Sequence, residues 1–519
     1  MGQDRVAIIG AGIGGLVAAA LLATRGLAVT VVEKEAAPGG KIRRVPVAGA
    51  QVDGGPTVFT LKSVFEEIFA EAGGDLDSAL AIARAEILAR HAWSEEERLD
   101  LFADPERSVE AIGDFAGADA ARGFRDFLAE AANIHRILER SFLRNSRVYP
   151  PGLMWRIGLW RIADLIAIRP YESMWKALGE HFADPRLRQL FGRYATYCGS
   201  SPFRTPATLM LIAHVEAEGV WLIEGGMSAL AAALAALAEK NGAQFRYRAE
   251  AAEILVARGR AAGLRLADGE EIAADWIVAN ADPAALAAGR FGKAARKAVR
   301  ATPARRRSLS AFTWLMKARA AGFALVRHNV FFSADYAAEF RDIEKGRPPR
   351  SPSVYVCALD RGAEEGDAPG GEERFQAIVN APADGDRHIY GKEEIATCSR
   401  RMFERLETCG LELRPVAPPV VATPNDFEAL FPSTGGALYG RASHGWAASF
   451  LRQSARTRIP GLYCAGGSTH PGAGVPMAAL SARLAARTLL ADRASIGRFR
   501  RAAMPGGMST RSATTTASG

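Results

Sequence analysis

The chain has 519 residues, of which 49% are hydrophobic and 24% are charged, a balance typical of a folded globular protein rather than a disordered or fibrous one. A chain of this length predicts two or more lobes. The net charge of +8 suits an anionic membrane surface or an acidic ligand; with no zinc-finger spacing and no aromatic and basic RNA motif, nucleic acid is the weakest candidate partner.

The cysteines and the hydropathy pattern predict a cytoplasmic protein. Five cysteines without a Cys-x-x-Cys spacing argue against a disulfide framework and against structural zinc. The N-terminus lacks the basic and long apolar regions of a secretory signal, and no uncharged apolar run is long enough for a spanning helix. The histidines show no metal-ligand spacing, so no metal site is predicted.

The N-terminal residues predict a strand, a turn, a helix and a second strand in close succession. The β-branched run Arg5–Ile9 predicts a buried parallel strand, and a glycine-rich turn at residues 10–15 follows it at once. Alanine and leucine dominate residues 16–24, which predicts a helix, and residues 28–33 predict a second strand ending in a carboxylate. This order is typical of a dinucleotide-binding unit.

Each residue of that unit has a physical task. Gly10 allows the tight turn, Gly12 lets the backbone approach a pyrophosphate, and Gly15 lets helix and strand pack closely. The helix N-terminus offers N–H groups and a positive dipole end to phosphates, and Glu33 accepts hydrogen bonds from ribose hydroxyls. The predicted contacts are Gly10, Gly12, Gly14, Gly15 and Glu33.

Two further turns favour FAD over a nicotinamide dinucleotide. A glycine pair and a cation follow Glu33, and a second tight turn comes at residues 53–57. They would bring more backbone and a positive charge to the dinucleotide; the alternative is two ordinary surface turns. The predicted contacts from this region are Lys34, Gly40, Lys41, Gly55, Pro56 and Thr57.

The segment 153–168 is apolar apart from three charges that fall in one sector of a helical wheel. Trp160 shares that sector, and Trp155 lies on the wide apolar face. This pattern predicts either an interfacial membrane helix or a core helix of a substrate lobe.

The middle of the chain predicts a strand at residues 243–248 and a hairpin. Its strands are expected at residues 261–266 and 271–278, with the turn at Gly269.

A second strand, loop and helix unit lies near the C-terminus. Residues 461–465 predict a buried strand, residues 466–474 a glycine-rich loop of close backbone approach, and residues 475–489 a helix whose N-terminus faces the loop. The alternative is a second packing turn. The predicted cofactor contacts are Gly466, Gly467, Gly474, Val475, Pro476 and Met477.

These motifs together resemble the carotenoid desaturases of the bacterial phytoene-desaturase type, from residue 5 to about 492. The resemblance rests on the glycine fingerprint, Pro38–Lys41, Asp53–Thr57 and the run Thr-His-Pro-Gly-Ala-Gly-Val-Pro at residues 469–476. Other stretches are similar to the 1-hydroxycarotenoid 3,4-desaturases, also called methoxyneurosporene dehydrogenases: Gly54–Lys62, Arg90–Trp93, Gly435–Gly440, Ser443–Trp446 and Pro476–Leu480. The chain departs from many relatives in carrying Lys41 in place of arginine and Gly466–Ser468 in place of a carboxylate.

The resemblance implies an α/β fold in which a Rossmann-type FAD-binding lobe, like that of glutathione reductase and amine oxidases, is interleaved with an α+β substrate lobe. We expect the FAD lobe at residues 1–75, 220–290 and 430–493, the substrate and membrane-facing lobe at 76–219 and 291–429, and a flexible tail at 494–519. By the same analogy, backbone near Ala251 approaches adenine.

The activity implied is insertion of a C3=C4 double bond into a 1-hydroxylated acyclic carotenoid, by hydride transfer from C4 to flavin N5 and proton loss from C3. The cation next to the polyene makes that proton acidic, so no strong base is required. His470 is the first candidate for a polar role, His444 the second and His91 the third; for each the alternative is a structural imidazole. Tyr194, Tyr197 and the turn Ser200–Arg204 are candidates for the tunnel wall.

The implied partners are a lipophilic carotenoid and the cytoplasmic face of the inner membrane, with peripheral association. Oxygen and a quinone both remain open as electron acceptor. The alternatives are a multi-step phytoene desaturase, a flavin amine oxidase, a lipid-binding flavoprotein without redox turnover, and a nicotinamide-only dehydrogenase. An amine oxidase would need an aromatic cage and a flavin-facing lysine, neither of which the sequence identifies.

Overall fold

The computed structural model describes residues 3–146, 162–364, 366 and 369–502. Most of the segment predicted as an interfacial or core helix, including Trp155 and Trp160, lies outside these residues, as do residues 503–519 of the predicted tail. Within the described part, no helix combines the length and the hydropathy that crossing a membrane requires.

The strands, in chain order, are β1 Arg5–Ile9, β2 Ala28–Val32, β3 Arg44–Val47, β4 Ala50–Asp53, β5 Ile82–Arg84, β6 Ile87–Ala92, β7 Arg98–Phe102, β8 Trp221–Ile223, β9 Gln244–Arg246, β10 Ala251–Ala257, β11 Arg260–Leu266, β12 Glu271–Ala273, β13 Trp276–Ala279, β14 Ser310–Ala321, β15 His328–Phe331, β16 Val354–Ala358, β17 Glu373–Ala381, β18 Glu412–Pro415, β19 Val420–Ala422 and β20 Leu462–Cys464.

The α-helices are α1 Ile13–Ala23, α2 Lys62–Glu71, α3 Leu76–Ala79, α4 Pro105–Ala116, α5 Ala118–Leu138, α6 Ile162–Ala167, α7 Met174–His181, α8 Pro185–Gly192, α9 Leu211–Glu218, α10 Met227–Lys240, α11 Pro283–Ala288, α12 Tyr336–Glu344, α13 Lys392–Thr408, α14 Pro424–Leu430 and α15 Val475–Ala502. A π-helical turn, Glu139–Leu143, extends α5, and a 3₁₀ turn, Arg193–Cys198, follows α8.

A five-stranded parallel sheet carries the N-terminal glycine turn. Its order is β20-β13-β1-β2-β9, so strands from three distant parts of the chain lie side by side. The buried, alanine-rich helix α1 packs between this sheet and helices α10 and α15. The predicted α/β fold is confirmed, since parallel strands with helical crossovers form its first layer.

The predicted hairpin needs a correction. The strand expected over residues 271–278 is two strands, because the hydrogen bonding changes partner between them. The N–H of Ala274 still donates to Ala262 in the hairpin, whereas the N–H of Asp275 donates to Arg5 of the parallel sheet. β12 therefore ends the hairpin, and β13 is a central strand of the nucleotide-binding layer.

Helix bounds also differ from the prediction at both ends of the chain. α1 begins at Ile13 rather than at residue 16, so two fingerprint glycines lie inside its first turn. α15 runs to Ala502 instead of ending near residue 489, and it covers part of the segment expected to be a tail.

The second layer is a mixed sheet of the order β18-β14-β17-β16-β15-β6-β7, with β19 also paired to β14. Neighbours along it are antiparallel except for the parallel pair β15 and β6. Helices α4 to α9 form a separate apolar core that includes Phe124, Phe127, Phe182 and Phe191. The two layers and these helices meet around the cavity described below.

Candidate functional site

The N-terminal glycine turn is packed too closely to accept side chains. A Cβ on Gly15 would overlap the carbonyl oxygen of Gly10, which accounts for the close approach of α1 to β1. Gly12 is the N-cap of α1, and no side chain caps it. The first turn of α1 therefore begins on bare backbone, the arrangement that binds phosphate.

Asn280 joins this turn to the C-terminal glycine loop. It follows β13, and its amide accepts hydrogen bonds from the N–H groups of Gly12 and Gly15, each at 3.2 Å, when it is oriented to satisfy both of its polar atoms. In that orientation it also donates to the carbonyl of Ala465 at 3.3 Å. No sequence motif marks Asn280; its position at the end of a buried strand is the signal that could have found it.

The second glycine turn lies against the first. The N–H of Gly39 donates to Ala11 at 2.9 Å, and Gly39 forms a parallel bridge with Gly12. Gly40 lies beside Gly12, since a Cβ on Gly40 would be only 3.1 Å from the Cα of Gly12. The turn predicted to bring a second backbone loop to the dinucleotide is thus next to the fingerprint.

Glu33 lies at the end of β2 and is buried. Its carboxylate accepts from the N–H of Ala11 at 2.6 Å and from that of Glu35 at 3.0 Å, which leaves lone pairs on both oxygens for ribose hydroxyls. The N–H of Ala249 donates to the carbonyl of Glu33, so Ala251 begins β10 close to this carboxylate. These positions suit the adenosine half of a dinucleotide.

The two predicted lysines contact protein backbone. Lys34 donates to the carbonyl of Leu430 at 2.9 Å, and Lys41 donates to the carbonyl of Leu438. Lys41 also lies 5.1 Å from the ring centre of Phe431. Burial lowers the pKa of Lys41, and the charge of Asp282 partly opposes this. Lys41 therefore holds the segment near residue 438 against the glycine turns.

The C-terminal glycine loop lies against the N-terminal glycine turn. The N–H of Gly466 donates to Ser481 of α15 at 3.2 Å, and the hydroxyl of Thr469 donates to the carbonyl of Gly466. A Cβ on Gly14 would lie 2.9 Å from the Cα of Gly466. Glycine turns from the two ends of the chain are therefore in direct contact.

Two cavities meet beside these turns. A polar cleft of about 220 Å³ is lined by Asp282, Thr434, Gly440 and Ser468, among others. A larger cavity of about 360 Å³ is lined mainly by apolar side chains, and Phe450 and Arg452 line both. A dinucleotide with a flat, redox-active ring fits this arrangement, since its polar chain needs the cleft and its ring needs access to the larger cavity.

The larger cavity includes several predicted residues in its wall: Pro56, Thr57, Tyr197, Gly474, Val475, Pro476 and Met477. Part of its apolar wall comes from the region of helices α4 to α9, with Leu138, Phe142, Leu209 and Ile212. Gly466, Gly467 and the turn Ser200–Arg204 do not line it. The C-terminal loop thus contributes its second half, rather than its first, to this cavity.

A buried polar cluster lies in the same wall. The hydroxyls of Tyr194 and Tyr197 each donate to Glu216 at 2.7 Å, and Arg193 donates to the hydroxyl of Tyr197 at 3.0 Å. Burial raises the pKa of both tyrosines, and the nearby carboxylate raises it further. Arg193, Tyr197 and Glu216 line the cavity, whereas Tyr194 lies behind them.

None of the three predicted histidines lines either cavity. His470 is buried, with Nε2 directed at the carbonyls of Phe142 and Asn145 at 3.1 and 2.8 Å, so it connects the C-terminal loop to the end of α5. Its polar role near the flavin stays a prediction.

The other two histidines are also held by backbone. His444 accepts from the N–H of Ser201 at 3.0 Å, and burial lowers its pKa to about 4. His91 is fully buried in β6, with Nδ1 3.1 Å from the carbonyl of Leu99 and a pKa lowered by burial. Both imidazoles are therefore neutral at physiological pH.

Across the residues that the structure describes, no group of three His, Cys, Asp or Glu side chains is arranged to bind a metal ion.

Sequence comparison relates the chain to flavoproteins. Residues 13–319 match the family model described as flavin containing amine oxidoreductase. A hydroxyneurosporene desaturase from Rubrivivax gelatinosus is 53% identical over 98% of this chain and 98% of its own length. One from Cereibacter sphaeroides is 45% identical over 95% and 99%. A 1-hydroxycarotenoid 3,4-desaturase from a Flavobacterium species is 29% identical over 93% and 98%.

Solved structures share the fold. An oxidoreductase from Methanosarcina mazei has a TM-score of 0.58 at 17% identity, over 92% of this chain and 99% of its own. Putrescine oxidase bound to putrescine has a TM-score of 0.56 at 16% identity, over 95% and 99%.

Proposed function

This chain belongs to the carotenoid desaturases within the flavin-containing amine oxidoreductases, and from that premise we propose that it introduces a C3=C4 double bond into a 1-hydroxylated acyclic carotenoid. It is an FAD-dependent oxidoreductase. The observation that supports the substrate class best is the apolar cavity of about 360 Å³ beside the glycine turns. Most of this wall is apolar, which favours a hydrocarbon chain such as a polyene over a polar substrate.

FAD supplies the acceptor for two electrons when it is bound. The glycine turns, Glu33 and the N-terminus of α1 would hold it, and the loop that ends at Val475 places its backbone at the border of the apolar cavity. The chain fits this cofactor because a polar cleft and an apolar cavity share a wall at Arg452.

The protein's own part in the reaction is orientation and exclusion of water. Leu138, Phe142 and Leu209 make the wall apolar, which favours an extended hydrocarbon over water. The loss of hydride from C4 leaves a cation delocalised over the polyene, so the C3 proton is acidic. Glu216, the carboxylate in the wall, already accepts two tyrosine hydroxyls, and the reaction needs no stronger base than water.

The proposal is tested by expression in a strain that accumulates 1-hydroxylated acyclic carotenoids. We expect the pigment absorbance to shift to the red by one added conjugated double bond. A strain that accumulates phytoene is the matched comparison, and we expect it to keep its phytoene. Unchanged hydroxylated pigment in cells that contain folded, flavin-loaded protein would contradict the proposed substrate. Coloured products from phytoene would instead favour the multi-step phytoene desaturase.

We also propose peripheral association with the cytoplasmic face of the inner membrane, because a carotenoid is available only from lipid. Trp446 lines the cavity and is 46% exposed, so it lies at the opening. Tyr171, 80% exposed, lies beside it, with ring centres 5.7 Å apart and ring planes tilted by 52°. Ile166 and Leu451 are further exposed apolar residues, at 69% and 55%. An exposed aromatic pair at the opening suits insertion at headgroup depth.

Replacing both Trp446 and Tyr171 by serine is expected to reduce flotation of the protein with anionic phospholipid vesicles severalfold. Ile389→Ser is the control, because Ile389 is 86% exposed and lies outside the cavity wall. Equal flotation of the double variant and the control would contradict this docking surface.

Oxygen and a quinone both remain candidate electron acceptors.

A further inference from the structure

Buried polar atoms without a hydrogen-bond partner gather around Arg193. Among the residues that the structure describes, these atoms are Nε and Nη2 of Arg193, the hydroxyl of Tyr336, and Nε2 of His328 and of His91. Buried groups of this kind are nearly always paired in folded proteins, so several in one place indicate an absent partner.

The charge of Arg193 reaches the other members of this group. Burial lowers the pKa of His328 to about 3, and that of His91 is also well below its usual value; Arg193 lowers both further. Burial raises the pKa of Tyr336, and Arg193 partly offsets this. The site therefore combines a cation, a neutral phenol and two neutral imidazoles.

Arg193 and Tyr336 open this group to the apolar cavity. Both line its wall, and their side chains belong to residues only 7% and 6% exposed. One edge of the guanidinium is already used, because Nη1 donates to Tyr197, whose hydroxyl donates to Glu216. Nε and Nη2 of Arg193 and the hydroxyl of Tyr336 therefore have no protein partner within the described part of the chain, although both residues belong to the cavity wall.

The ligand group that fits is a neutral oxygen. Arg193 offers only donors, and a hydroxyl or ether oxygen accepts from it, while a hydroxyl also exchanges a hydrogen bond with Tyr336. A carboxylate would bring a second negative charge near Glu216, which already balances Arg193 through Tyr197. An aliphatic chain would leave every one of these donors unpaired.

Hydrogen bonds connect the group to the turn at Thr57, one of the predicted flavin contacts. His328 is 2.8 Å from the hydroxyl of Tyr355, which is 2.6 Å from the hydroxyl of Thr57 in the turn that lines the cavity. In a 1-hydroxylated carotenoid only C2 separates C1 from C3. A site that binds the C1 oxygen must therefore lie close to the reacting bond, and this group is connected to the turn at Thr57, which is predicted to contact the flavin.

We propose that Arg193 and Tyr336 bind the tertiary hydroxyl at C1 of the carotenoid and so set which carbon pair is placed for desaturation. This inference rests on the proposed function and adds to it the residues that distinguish a hydroxylated end from a hydrocarbon end.

The test compares 1-hydroxyneurosporene with neurosporene, which lacks the hydroxyl, in the flavin-loaded protein. Tyr336→Phe removes only the phenolic oxygen, and we expect it to lower the preference for the hydroxylated carotenoid, measured as the ratio of dissociation constants from flavin absorbance changes, by about tenfold. Tyr390→Phe is the control, since that buried hydroxyl bonds Asp384 outside the cavity wall. The control is expected to keep the wild-type ratio.

Arg193→Lys provides a second variant that keeps a positive charge near Glu216 but loses the planar set of donors. We expect a similar fall in preference with unchanged flavin content. If both variants keep the wild-type ratio, the inference is overturned. The binding ratio is independent of turnover, so a wild-type protein that binds the hydroxylated carotenoid preferentially without desaturating it would contradict the proposed function alone.

Discussion

Replacing Gly14 by alanine is expected to abolish stable FAD binding. The new Cβ would overlap the amide of Asn280 and lie 2.9 Å from the Cα of Gly466. Neither neighbour is free to move, since Gly466 bonds Ser481 of α15 and Asn280 bonds both glycine turns. Overpacking at a backbone contact costs about 1–3 kcal/mol or more, and here it would separate the two turns that hold the cofactor.

The measurement is the ratio of flavin to protein absorbance after purification, together with the thermal unfolding temperature. We expect flavin content to fall at least about tenfold, because a loss of 1.4 kcal/mol is a factor of ten in binding. Gly113→Ala is the control. Gly113 lies in helix α4, and a Cβ on it would be at an ordinary contact distance of 3.5 Å from the Cβ of Ala121 in α5. Full flavin content in the Gly14 variant would show that contact between the turns is unnecessary.

Glu216→Ala is expected to destabilise the fold strongly. Glu216 is 2% exposed and accepts hydrogen bonds from Tyr194 and Tyr197, the second of which also accepts from Arg193. Without the carboxylate, both tyrosine hydroxyls lose their acceptor, and the buried Arg193 loses the favourable charge of Glu216. Removing one partner of a buried charge pair costs about 3–5 kcal/mol, which is a large share of the stability of a globular domain.

Chemical denaturation followed by fluorescence measures this loss in the free energy of unfolding. Glu412→Ala is the surface control, because its ion pair with Arg414 is exposed and the variant is expected to be about as stable as the wild type. The double variant Glu216→Leu with Arg193→Met removes both charges and is expected to recover much of the loss. A single Glu216→Ala variant as stable as the wild type would contradict the role assigned to this cluster.

The prediction of the nucleotide-binding unit succeeded because its signals are local. The β-branched run at residues 5–9, the glycine spacing and the carboxylate at Glu33 each specify a conformation or a contact within about thirty residues. β1 has the predicted bounds, and β2 ends one residue before Glu33. Turn chemistry and strand periodicity thus identified the fold class and the cofactor.

The break between β12 and β13 shows where local reasoning ends. Hydrophobicity over residues 271–278 indicates burial, but it does not say which strand lies alongside. Asp275 bonds the backbone of Arg5, 270 residues away, and that contact moves the chain from the hairpin to the parallel sheet. Strand pairing of this range depends on the whole topology.

By itself, the sequence determined the parallel nucleotide-binding layer, the glycine turns at both ends and the family of the chain, since all of these depend on neighbouring residues. Only the tertiary structure decided which side chains line the cavity. Arg193, Glu216 and Tyr336 lie in separate elements and carry no shared motif, yet the 3₁₀ turn after α8 and helices α9 and α12 bring them to one wall. The physical reason is that a buried polar group is stabilised by partners whose distance in space is unrelated to their distance in sequence.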